Sequence, residues 1–121
     1  MELGWPAWVG VVAEHLEKQR AFYRDVLGLE EVREREGYVW FRLGEGTLEI
    51  AERTSDSPER DRAGCAIGYR VQDVEAARAE LIARGAGPLT EIQGGPKAGA
   101  RWCYFRDAEG NAFQITQELG A

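Results

Sequence analysis

Tyr38-Val39-Trp40-Phe41-Arg42-Leu43 and Arg101-Trp102-Cys103-Tyr104-Phe105-Arg106 are two versions of one strand, and their likeness decides the fold. Phe41-Arg42 matches Phe105-Arg106 at an offset of 64 residues. Successive side chains of a strand point to opposite faces. Val39, Phe41 and Leu43 therefore make one apolar face, and Tyr38, Trp40 and Arg42 the other. The later copy puts Trp102, Tyr104 and Arg106 on that second face, so the theme of two aromatics and an arginine is repeated.

Working outward, each copy sits in the same order of elements. A strand-like run from Trp8 to Ala13 precedes a helical pattern over 15–27 that stops at Gly28, and the last of three further strands ends in Thr47-Leu48-Glu49-Ile50. The first helix is expected to set Leu16, Ala21, Phe22, Val26 and Leu27 against a sheet. The second telling runs from Ala66 to Val71, through a helix over 73–84 opened by the N-cap Asp73 and closed at Gly85, to Ala112-Phe113-Gln114-Ile115. A repeated β-α-β-β-β unit predicts two half-sheets, each with an apolar face to bury. Module one is placed at 5–53, a charged connector without apolar periodicity at 54–63, and module two at 64–118 of a single domain. Gly94 to Gly99 reads either as an ordinary hairpin loop or as a lid.

Extending the alternation, Val9, Val11, Ile67, Tyr69, Leu48, Ile50, Phe113 and Ile115 face the helices. Trp8, Gly10, Val12, Ala66, Gly68, Arg70, Glu49 and Gln114 then join the aromatic strands on the inner surface. A dry core holding three Arg and one Glu would leave charge uncompensated at a cost of several kcal/mol per ion. The composition therefore favours an open cavity over a filled barrel interior or subunit interface.

Composition narrows the partners. The 121 residues carry a net charge of -6, which argues against nucleic acid. No apolar run reaches the roughly 18 residues of a membrane span, and the first residues lack a signal-peptide pattern, so the cytoplasm is the expected location. Cys65 and Cys103 lie in apolar strands and are expected to be buried, reduced thiols. His15, the only histidine, is expected at an exposed helix start.

Phe22-Tyr23-Arg24-Asp25-Val26-Leu27-Gly28-Leu29, the helix start Val71-Gln72-Asp73-Val74-Glu75-Ala76-Ala77, the Arg84-Gly85-Ala86 step and the stretch from Phe105-Arg106-Asp107 to Phe113-Gln114-Ile115 carry a family likeness. Over essentially its whole length the chain resembles the vicinal oxygen chelate superfamily, which holds glyoxalases, bleomycin-resistance proteins, extradiol dioxygenases and fosfomycin-resistance enzymes. The resemblance implies an α+β fold of two β-α-β-β-β modules in a cupped, barrel-like mixed sheet with helices outside, and usually a homodimer. It also implies four metal-ligand places, on the first and last strand of each module. Here those are Trp8, Glu49, Ala66 and Gln114, of which Trp8 and Ala66 offer no ligand atom.

The expectation is therefore a small-molecule binding protein without a metal, similar to the antibiotic-sequestering members and thus to antibiotic resistance. Trp8, Tyr38, Trp40, Trp102 and Tyr104 would stack an aromatic ligand, while Arg42, Arg70 and Arg106 would meet its anionic groups and Glu49 and Gln114 its polar ones. The alternative is a lyase, isomerase or dioxygenase-like enzyme with Glu49 as general base, or as a weak metal ligand with Gln114. A third class is a structural or regulatory dimer using the aromatic face, or the segment around Trp5-Pro6, as its interface.

Overall fold

A computed structural model describes residues 1–120. It contains β1 (Pro6–Ala13), α1 (Leu16–Ala21), β2 (Glu31–Arg35), β3 (Tyr38–Leu43), β4 (Gly46–Glu52), β5 (Gly64–Arg70), α2 (Val74–Ala83), β6 (Gly87–Pro88), β7 (Gln93–Gly95), β8 (Ala100–Arg106) and β9 (Ala112–Glu118). The fold class is α+β, with the β-α-β-β-β order present twice. By contacts the chain forms two compact units, Trp8–Ala66 and a second in which Met1–Ala7 joins the chain from Ile67 onward.

In the first unit the strand order is β2-β3-β4-β1. β1 and β4 run parallel with Val9 opposite Leu48 and Val11 opposite Ile50, and β3 pairs antiparallel with Val39 opposite Ile50 and Phe41 opposite Leu48. This register puts the apolar residues of all three strands on one face, as the alternation requires. Val39, Phe41, Leu48, Ile50 and Ala13 form the core, with Val9, Val11, Leu16, Tyr23 and Leu29 packed against it.

The first helix differs from expectation. Its α-helical part ends at Ala21, and Phe22–Val26 form a wider π turn closed by the Leu27 N–H donating to the Phe22 carbonyl at 3.1 Å. A bond spanning five residues shifts the angular frame of a 3.6-residue helix. Tyr23 then covers the core, while Phe22, Val26 and Leu27 are 46%, 67% and 52% exposed, contrary to the buried face expected for them.

The second unit repeats the plan with the order β5-β9-β8-β6, and β7 also pairs with β8. Cys103, Phe105 and Ile115 are fully buried and meet Val71, Val74 and Ala77 at the start of α2. Asp73 caps that helix as expected, its carboxylate accepting the Ala76 N–H at 3.1 Å. Its other end closes at Gly85, with φ +95°, where the Ala86 N–H donates to the Leu81 carbonyl.

Gly94 to Gly99 turn out to be a paired hairpin: β7 aligns Gln93 with Trp102 and Gly95 with Ala100, and the Gly95 carbonyl accepts from the Ala98 and Gly99 N–H groups. Gly94 has φ +85°, and a Cβ there would lie 2.4 Å from the Trp102 ring. Cys103 is buried as expected, but Cys65 is exposed, because it lies next to Gly64 at the open start of β5 before that strand begins to pair with β9.

Candidate functional site

The non-helix face of the first unit is organised around Glu49. Its neighbours across the sheet are Gly10 on β1 and Trp40 on β3. Gly10 is required there, since a Cβ at that position would sit 2.2 Å from the Glu49 carbonyl oxygen. β1 can thus lie flat beside β4, and the Glu49 side chain is left partly buried between a bare backbone and an indole.

Tyr38 and Trp40 stack on each other, with ring centroids 5.4 Å apart and planes 9° from parallel. Two arginines grip this pair from its flanks. Arg33 lies 4.9 Å from the Trp40 ring centre and Arg60 lies 4.4 Å from that of Tyr38. Arg60 comes from a 3₁₀ turn over Pro58–Arg60 in the connector. Its NH1 donates to the Tyr38 hydroxyl at 3.0 Å and its Nε to the Glu52 carbonyl at 2.8 Å.

Glu49 makes no side-chain hydrogen bond or ion pair among the described residues. Burial pushes its carboxyl up to about 7, partly opposed by the Arg60 charge and helped by that of Glu59. A carboxyl so placed is nearly balanced between its protonated and ionised forms at neutral pH. Burial also raises the Tyr38 phenol.

The second unit carries the corresponding row with a different ending. Gln114 stands where Glu49 does, between Gly68 on β5 and Tyr104 on β8. It is buried, and its side-chain amide donates to the Tyr104 hydroxyl at 3.1 Å. The first unit thus holds an ionisable acid with no hydrogen-bond partner at this place, and the second a neutral amide engaged by its neighbour.

The other expected site residues sort as follows. Trp8, partly buried, aligns with Thr47 on the same face as Glu49, and Trp102 aligns with Thr116 on the face of Gln114. The three arginines expected to meet a ligand's anionic groups all have partners. Arg42 is exposed at the end of β3 and pairs with Glu30 at 3.1 Å. Arg70 pairs with Glu118 at 2.9 Å and donates to the Trp5 and Pro6 carbonyls. Arg106 donates to the Gly110 carbonyl at 2.8 Å. Arg60 and Arg33, the cations that flank the aromatic pair, had no signal in the alternation pattern.

Residues 5–115 match the family model of the Glyoxalase/Bleomycin resistance protein/Dioxygenase superfamily, and the chain belongs to that superfamily. No curated protein sequence matches the chain significantly. Among solved structures, the methylmalonyl-CoA epimerase of Streptomyces coelicolor superposes with a TM-score of 0.74 at 18% identity, over 98% of this chain and 100% of that one. The Mn(II)-bound glyoxalase of Novosphingobium aromaticivorans gives 0.74 at 22%, over 98% of this chain and 40% of that one. A superfamily member from Vibrio splendidus gives 0.70 at 17%, over 97% and 100%. At these identities the likeness is one of fold.

Superfamily enzymes hold a divalent metal, and the donor set here does not suit one. The Trp8 indole and the Ala66 methyl carry no ligand atom, which leaves one carboxylate, Glu49, and the neutral amide oxygen of Gln114 at the four places. His15 is exposed at the start of α1. No group of three or more His, Cys, Asp or Glu side chains is arranged for a metal among the described residues. No helix among them is long and apolar enough to cross a membrane.

Proposed function

We propose that the protein is an enzyme of this superfamily that moves a proton at a carbon next to a carbonyl, of the isomerase or lyase type, with Glu49 as general base. The observation that carries this reading is the Glu49 carboxyl itself. It is partly buried between Gly10 and Trp40, without hydrogen bond or ion pair among the described residues, and balanced near neutrality. A base whose pKa lies close to the working pH combines a large ionised fraction with a useful proton affinity.

In the reaction this supports, the Glu49 carboxylate takes the proton from the α-carbon and the bonding pair passes onto the carbonyl oxygen as an enolate. Return of a proton to carbon, or expulsion of a leaving group from the neighbouring carbon, completes an isomerisation or an elimination. The kinship in fold with methylmalonyl-CoA epimerase and glyoxalase supports a small carbonyl compound as the substrate. General-base catalysis is worth roughly 10²- to 10⁴-fold. Exchange of α-protons in D2O, followed by NMR across a panel of malonyl thioesters, β-keto acids and α-hydroxy ketones, tests the reading. Exchange should occur with at least one class and fall by about two orders of magnitude or more in Glu49→Gln; unchanged exchange in that variant refutes it.

The Tyr38–Trp40 stack flanked by two arginines favours a second reading, metal-free sequestration of a flat aromatic ligand, with Trp8 contributing from the same face of its own unit. Ligand quenching of tryptophan fluorescence with no turnover, unaffected by Glu49→Gln, would select it. On either reading the partner is a small molecule, acting on a cytoplasmic homodimer.

A further inference from the structure

We propose that Arg60 is the electrophile of the Glu49 site, the group that receives the negative charge developing on a substrate carbonyl oxygen. The inference rests on the reading of Glu49 as a base and names the residue that would make that base effective.

An enolate needs a positive partner in a site of low polarity, or the proton returns before anything else can happen. The metal places of this chain cannot supply that charge, so another cation must. Three features single out Arg60. It is held in place: the loop carrying it is closed by the Thr54 N–H donating to the Arg60 carbonyl at 2.9 Å and the Arg60 N–H donating to the Ser57 carbonyl at 3.0 Å. Its guanidinium is then fixed on the Tyr38 ring, the Tyr38 hydroxyl and the Glu52 carbonyl. Preorganisation of this kind is what makes a cation useful at the moment charge develops.

It also keeps part of its donor capacity. Arg60 has no carboxylate partner among the described residues, and its NH2 hydrogens meet no acceptor there. Arg60 makes no ion pair with Glu49, yet the Tyr38 ring it covers stacks on Trp40, the residue opposite Glu49, so the cation stands on the same face of the sheet as the base.

Finally, the fold makes room for it. Gly37, at φ +82°, turns the chain between β2 and β3 and fixes it to β4 through the Glu52 N–H and the Gly37 carbonyl. A Cβ on Gly37 would lie 2.8 Å from Arg60 NH2, so this glycine serves both the turn and the seat of the guanidinium. The charged or titratable groups around Glu49 are Arg60 and Glu59 on the connector turn and Tyr38 on β3.

In the step itself the C–H bond breaks, its proton passes to a Glu49 carboxylate oxygen, and its electron pair becomes the enolate π bond and oxyanion. Arg60 NH2 donates hydrogen bonds to that oxygen. Reprotonation at carbon reverses the flow, so no oxidant, reductant or further reactant enters.

Ethyl nitronate, a planar anion with its charge on oxygens beside carbon, is the probe, and neutral nitroethane is the control. Binding is read by tryptophan fluorescence in the wild type, Arg60→Gln, Arg60→Lys and Glu49→Gln, with near-UV circular dichroism reporting the fold. The wild type should bind the nitronate at least tenfold better than nitroethane. Arg60→Gln should lose that preference, Arg60→Lys should recover part of it, and Glu49→Gln should keep it. The same Arg60→Gln change should raise the titration midpoint of the Glu49 carboxyl, read by carbon-13 NMR. A wild type without nitronate preference overturns the proposal, as does a preference that survives Arg60→Gln. Loss of exchange in Arg60→Gln alongside intact exchange in Glu49→Gln would instead overturn the base and leave the electrophile standing.

Discussion

Replacing Glu49 by Gln should make the protein more stable at high pH, and the size of the gain follows from where the side chain sits. In the unfolded chain the carboxyl titrates near 4.5, whereas burial holds it up to about 7 in the folded one. Between those values the folded state keeps a proton that the unfolded state has released, so stability falls as pH rises. The contribution is complete below pH 4.5 and fully lost once pH has passed through about 7. At about 1.4 kcal/mol for each unit of difference, the loss is about 3 kcal/mol. Gln is nearly isosteric and does not ionise, so the variant lacks this loss. Urea unfolding of the two proteins should coincide near pH 4. The curves should separate by about 2 to 3 kcal/mol by pH 8, which is about 1 to 2 M in midpoint for ordinary urea slopes. Every other ionisable group is common to both proteins and cancels. Parallel pH profiles for wild type and variant would refute the placement of Glu49 and weaken its role as a base.

Three further outcomes probe the surrounding structure. Gly10→Ala puts a methyl group against the β4 backbone and should either prevent folding or destabilise by more than about 3 kcal/mol in urea titration, with activity lost even where the chain still folds. Gly37→Ala forces a left-handed conformation on a residue with a Cβ, at about 1 to 2 kcal/mol, and displaces Arg60; nitronate binding should therefore fall further than the thermal midpoint alone predicts. Asp73→Ala removes the cap of α2 and should cost about 1 kcal/mol by chemical denaturation while leaving catalysis intact, because that helix carries none of the Glu49 site.

The alternation of β3 and β8 placed the faces of these strands because a two-residue period leaves little freedom once one face is buried: Phe41 and Phe105 are fully buried and Trp40 and Tyr104 point the other way, although Leu43, expected on the buried face, is 44% exposed at the end of β3. Asp73 and Gly85 marked α2 for equally local reasons. The first helix was harder. A π turn and an α turn differ by one residue in hydrogen-bond span, and five residues of mixed polarity cannot tell them apart. Glu49 was visible as the one acid among the candidate residues of the aromatic face. Arg60 was not, since its connector has no periodicity and its position depends on a loop closed by backbone hydrogen bonds and on space left by Gly37, more than twenty residues earlier. Arg42 and Arg106 carried the pattern expected of anion contacts, yet Arg42 sits beside Glu30 and Arg106 turns back onto the Gly110 carbonyl. Pattern assigns a face, but not the partner a long side chain finds there.

The paired rows Gly10–Glu49–Trp40 and Gly68–Gln114–Tyr104 also bear on how such a site could arise and be lost. Glutamate and glutamine codons differ at a single nucleotide, so one base substitution in either half of the gene can disarm the acid or install a second. A duplicated ancestor needs few steps to pass between no acid, one acid and one acid in each unit at these matching places. Lineages related to this chain should therefore show these three states scattered among close relatives rather than separated by long descent.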